Sequence, residues 1–255
     1  HFFAVNDDPN KESFQVTNLA PAASMTINRL QERQSLLKRF AEDQRLYDQS
    51  GQSDSLDAIS KQAFELITGE PAQRAFDINS ESPALRDRYG RNTLGQRMLL
   101  ARRLVEAGVP FTTVRTADWD DHQQLDSKIR LRAPMFDAAL ATLIEDLHDR
   151  GLSQKVLVVA MGEFGRTPRI NANAGRDHWP AVNSVLIAGG DYRMGQVIGE
   201  TDRSASRVIE APYQPQNVLA MVYYHLGIDP SLTFDDYAGR PRYVLEERGL
   251  IRELL

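Results

Sequence analysis

Three short clusters hold the residues able to do chemistry. The first is Asp118, Asp120, Asp121 and His122, the second Glu163 with Arg166, and the third Asp177 with His178. Carboxylates and imidazoles gathered at one place suit a divalent metal of intermediate hardness, such as zinc or manganese, with calcium as a further candidate. Such an ion lowers the pKa of a bound water or polarises a phosphoryl oxygen. Arg166, Arg169 and Arg176 are placed to hold an anion bidentately beside it. The run Asn171-Ala172-Asn173-Ala174-Gly175 allows left-handed backbone and could aim several N–H groups at one anion. Each cluster also has a plain reading. Asp120-Asp121-His122 fits a solvated turn that caps the next helix. Glu163 with Arg166 fits a structural ion pair, and His178 before Trp179-Pro180 fits a packed loop histidine. His148 and His225 fall on predicted helices and read as ordinary surface or core residues.

The elements that must position these residues follow from pattern. Val156 to Ala160 is a short β-branched run without helical spacing, which predicts a buried strand. Phe111–Thr116 and Ser184–Ala188 predict two more strands. Amphipathic spacing predicts helices over 27–47, 56–67, 71–76, 93–107, 127–150 and 213–226. Ser82 before Pro83 reads as a cap with proline at the first helical position. Strands alternating with helices predict an α/β fold: a mostly parallel sheet with helices on both faces. In such sheets ligands sit past the carboxyl ends of strands. The expected organisation is an extended lead-in and helical lobe over 1–108 and an α/β core over 109–255.

The bulk numbers narrow the class. The 255 residues carry a net charge of -5, which argues against nucleic acid as the main partner. Hydrophobic content of 42% with 25% charged residues is that of an ordinary globular domain. The absence of cysteine excludes disulfides and thiolate metal sites. No apolar run is long enough to span a membrane. No signal peptide is visible, and the chain begins His1-Phe2-Phe3.

Three blocks carry a family resemblance: Trp119-Asp120-Asp121-His122, Met161-Gly162-Glu163-Phe164-Gly165-Arg166-Thr167-Pro168-Arg169-Ile170-Asn171, and Gly175-Arg176-Asp177-His178-Trp179-Pro180. They resemble the signature blocks of the 1501 family of domains of unknown function, a bacterial family rich in planctomycete members and grouped with the alkaline phosphatase and sulfatase clan. The resemblance implies an alkaline-phosphatase-like core and an exported, periplasmic protein. It also implies that this chain is the carboxy-terminal part of a longer one, with the nucleophile-bearing turn upstream. Carried over by motif, Asp120, His122, Glu163 and His178 are the expected metal ligands, with Asp118 as a rival. Phe164 departs from the clan, where histidine or asparagine commonly follows the acidic ligand.

Two functions follow as expectations. One is a metal-dependent hydrolase of phosphate or sulfate esters, with Arg166 and Asp177 as catalytic residues and a small anionic ester as substrate. The other is a non-catalytic exported binding or scaffold protein with a degenerate site.

Overall fold

The structure, a computed structural model, describes residues 4–16, 29, 32, 35, 36, 70–116 and 119–255. Positions 29, 32, 35 and 36 are helical; the rest of the helices expected over 27–47 and 56–67 lies outside the described residues, as does Asp118. The chain divides into two compact units, His1–Val114 and Arg115–Leu255.

The first unit is helical. Helix α1 spans Glu70–Phe76, α2 Pro83–Tyr89 and α3 Thr93–Glu106, with a 3-10 turn at Ile78–Ser80. The Ser82 hydroxyl accepts the Leu85 N–H, with Pro83 opening α2, so local chemistry sets that helix start. Asn92 caps α3 through the Gly95 N–H at 2.9 Å. Ile78, Tyr89 and Leu99 are fully buried between these elements. Buried Arg86 donates to Gln96 and Asn79, each at 2.7 Å, and to the Pro9 carbonyl at 3.3 Å. The lead-in at residues 4–16 is thereby tied to α2.

The second unit holds α4 (Leu125–Asp149), α5 (Pro215–His225) and eight short strands. These are β1 (Leu157–Ala160), β2 (Gly165–Arg166), β3 (His178–Trp179), β4 (Leu186–Gly189), β5 (Glu200–Thr201), β6 (Val208–Glu210), β7 (Thr233–Asp235) and β8 (Pro241–Tyr243). They pair as β1–β4, β2–β3, β5–β6 and β7–β8, all antiparallel.

This overturns the expected mostly parallel sheet and alkaline-phosphatase-like core. Parallel neighbours need a crossover, usually a helix, between them. Between β1 and β4 the chain instead makes the β2–β3 pair and returns as loop, which reverses its direction. The stretch Phe111–Thr116, expected as a strand, pairs with no strand among the described residues. Val159 and Ile187, cross-strand partners in β1–β4, pack on Val218, Met221, Ile251 and Leu254. Val158 and Ala188 line a cavity of about 300 Å³ with Ile144 and Leu147 of α4. This packing fixes where β1 ends, and the chemically suggestive residues follow from there.

Candidate metal centre

Two segments build the site. One is the approach to α4, residues 119–124. The other is the loop from β2 to β3, residues 167–177. They lie zipped together. Arg176 N–H donates to the Asp121 carbonyl at 2.9 Å, Gln124 N–H to Asn173 at 3.1 Å and Leu125 N–H to Ala174 at 2.9 Å. Gly175 makes the approach possible, because a Cβ there would sit 2.0 Å from the His122 carbonyl carbon. Asp121 anchors the first segment. Its buried carboxylate, 4% exposed, pairs with Arg132 and with Lys128 at 3.5 Å, both on α4. It is neither a solvated turn residue nor a helix cap.

Zipping brings three ligand atoms together. His122 Nε2 and His178 Nε2 are 3.2 Å apart, and each lies 3.0 Å from Asp120 Oδ1. Asp120, His122 and His178 are the metal-capable group among the described residues. Glu163 is exposed and lies outside that group. Arg166 and His178 are cross-strand partners in β2–β3, which puts both side chains on one face. Arg166 Nη1 lies 2.7 Å from Asp120 Oδ1, an ion pair. The Phe164 ring packs on the His178 imidazole, centroids 4.4 Å apart, and Arg166 lies 5.8 Å over the same ring.

Electrostatics follow from these contacts. The His178 hydrogen bond, then the Arg166 guanidinium, pull the Asp120 carboxyl down to about 2. The His122 and Asn171 hydrogen bonds lower the Asp177 carboxyl below its usual range. The Asp120 side chain is 62% exposed, so water screens these charges and leaves them open to a ligand.

Other expected roles resolve differently. Asp177 does not enter the three-atom group; its Oδ1 lies 2.7 Å from His122 Nδ1. Arg176 is committed to the Thr167 and Pro168 carbonyls, at 2.7 and 3.1 Å. The Asn-rich run does not offer its N–H groups to an anion. Asn173 and Gly175 N–H groups donate to the Asn171 side-chain oxygen, each at 2.9 Å, and Ala174 N–H to the Asn171 carbonyl. Asn171 is the residue that sequence reasoning missed; the signal was there, since asparagine followed by small residues favours such self-closing turns.

Fold and site together define a helical and small-sheet protein with a candidate metal centre. The chain belongs to the family described as Protein of unknown function (DUF1501), matched over residues 2–255. No curated protein and no solved structure matches it. Among the described residues no helix is long and apolar enough to cross a membrane.

Proposed function

We propose that the protein is a metal-dependent hydrolase of phosphate or sulfate esters. Asp120, His122 and His178 hold the ion, and Arg166 receives the substrate anion. The observation that carries the proposal is the triangle of Asp120 Oδ1, His122 Nε2 and His178 Nε2, with edges of 3.0, 3.0 and 3.2 Å. With both imidazoles in the Nδ1–H tautomer all three atoms are acceptors, and a cation among them offsets their repulsion. Tetrahedral zinc with bonds of about 2.0 Å places its ligand atoms about 3.3 Å apart, within a few tenths of an ångström of these edges. Two imidazoles and one carboxylate favour zinc or manganese; calcium asks for six to eight oxygens.

Three protein ligands with an open position are the pattern of catalytic rather than structural zinc. When bound, the ion supplies a Lewis acid for an ester oxygen and acidifies a water. Arg166 contributes a fixed cation beside it, suited to a phosphoryl or sulfuryl group. Exposure of the site leaves room for a small ester.

A binding protein without turnover is the second reading. One observation favours it: Arg166 already sits 2.7 Å from Asp120 Oδ1 and neutralises that carboxylate. One experiment separates the two. The purified protein is loaded with zinc or manganese, analysed for bound metal after gel filtration, and assayed on aryl phosphate and aryl sulfate. Bound metal with turnover that His178→Ala abolishes supports the hydrolase. Bound metal without turnover supports the binding protein. A protein that retains no metal ends the proposal.

A further inference from the structure

The site has a second layer that neither the metal-ligand triangle nor the family assigns. His122 meets the triangle through Nε2 and meets Asp177 Oδ1 through Nδ1, at 2.7 Å. Asp177 is itself held from two sides. Its N–H donates to Thr167 Oγ1 at 3.1 Å, and its Oδ1 accepts the Asn171 side-chain amide, also at 3.1 Å.

The orientation of the Asn171 amide follows from its other partners. Asn171 Oδ1 faces the N–H groups of Asn173 and Gly175, which can only donate. That atom is therefore the acceptor, and Nδ2 is the donor. Nδ2 also reaches the His122 carbonyl at 3.1 Å. One side chain thus grips the backbone of His122, the carboxylate that faces its ring, and the turn that leads to His178.

We infer that Asn171 and Asp177 are positioning residues that set His122 in the Nδ1–H tautomer and aim its Nε2 lone pair at the bound cation. The inference rests on the proposed reading of the triangle as a cation site. An ionised carboxylate only accepts, so the proton shared with Asp177 belongs to His122 Nδ1. Asp120 Oδ1 meets Nε2 at 3.0 Å as an ion-pair contact, whereas the Nδ1–Asp177 contact is the shorter, hydrogen-bonded one, so a neutral imidazole with its single N–H on Nδ1 keeps its Nε2 lone pair, the form a metal requires. Carboxylates placed behind a ligating histidine orient the ring and strengthen it as a donor. Asn171 adds rigidity to the carboxylate: without it, the carboxylate would keep only its contact with His122, since Thr167 holds the Asp177 backbone.

The test reads the tautomer and the metal separately. Long-range proton–nitrogen spectra of the metal-free full chain, labelled in histidine and held above the imidazole titration, report which His122 nitrogen carries the proton. The expected result is Nδ1–H in the wild type. Asp177→Asn keeps the shape but removes the negative charge that favours a proton on Nδ1, so the fraction of His122 protonated on Nε2 is expected to rise. Zinc affinity, measured against a chelator, is expected to fall about 10- to 100-fold in Asp177→Asn. Asn171→Ala is expected to weaken zinc in the wild type and to add little in the Asp177→Asn background, because it acts through that carboxylate.

A wild-type His122 protonated on Nε2 overturns the inference. So does zinc affinity within about twofold of wild type in Asp177→Asn while His178→Ala loses the ion; the metal site then stands and the positioning role fails. If the wild type binds no zinc but the tautomer switches as expected, the positioning holds and the metal reading fails. Asp177→Asn is near-isosteric, so it tests the idea even if Asn171→Ala loosens the loop.

Discussion

His122 Nδ1 and Asp177 Oδ1 face each other across 2.7 Å, although 55 residues separate them in the chain. Neither lies in a long element. One precedes α4 and the other precedes β3, and the pairing of two loops makes them neighbours. The chemistry of the site is therefore as sensitive to loop packing as to the ligands themselves.

Removing a ligand is the most direct check. Asp120→Ala, His122→Ala and His178→Ala are each expected to weaken zinc or manganese binding by more than about 100-fold, since loss of a mere orienting partner already costs 10- to 100-fold. Glu163→Ala is expected to change affinity little, as Glu163 lies outside the three-atom group. Calorimetric titration of the four variants decides it. Equal losses in all four would restore Glu163 as a ligand.

Arg166 is expected to separate metal from anion. Arg166→Ala removes a cation 2.7 Å from Asp120 Oδ1, so divalent ion affinity stays level or rises several-fold. Binding of inorganic phosphate or sulfate to the metal-loaded protein falls by about 10-fold or more, the loss of a charge-assisted contact. Competition of these anions with an aryl ester measures the second effect. Parallel loss of metal and anion would show that Arg166 acts through the fold.

Gly175→Ala probes the zipper. Its Cβ would meet the His122 carbonyl carbon at 2.0 Å, so the 119–124 and 171–176 segments must part. The expected cost is about 1–3 kcal/mol of stability, the range for forced overpacking, together with weaker metal binding. Denaturant unfolding and metal titration of one variant read both.

Acid should weaken the first unit through Glu81. Burial raises its carboxyl, but hydrogen bonds and charge from Arg102 and Arg103 outweigh this and leave it lowered. A lowered carboxyl contributes stability that is complete above the unfolded value, about 4.3 for glutamate, and is lost as pH falls through the folded value. Denaturant midpoints are therefore expected to drop below about pH 4 in the wild type and to flatten in Glu81→Gln. That variant is also less stable near neutrality by about 3 kcal/mol, because Arg102, 1% exposed, loses one carboxylate partner. Identical acid limbs in the two proteins would remove Glu81 from the account.

Much of the local architecture was legible in the chain. Ser82-Pro83 announces a helix start, and the apolar spacing of α4 runs nearly to its observed ends, Leu125–Asp149. The strands at Leu157–Ala160 and Leu186–Gly189 were legible as strands. Their direction was not. Whether two strands run parallel depends on the path between them, and no residue within either strand encodes that path.

The sequence by itself determined which residue types could meet: two imidazoles, an aspartate and an arginine, in three blocks of a recognisable family. It determined the helices of the described residues from Glu70 onward too, because caps and periodicity act within a few residues. Only the tertiary structure decided that Asp120, His122 and His178 converge, that Glu163 stands apart, and that Asp177 faces His122 from outside the three-atom group. The reason is range. Convergence to 3 Å is set by hydrogen bonds between segments about 50 residues apart, such as Asn171 to the His122 carbonyl, and such pairings leave no periodic trace in the chain.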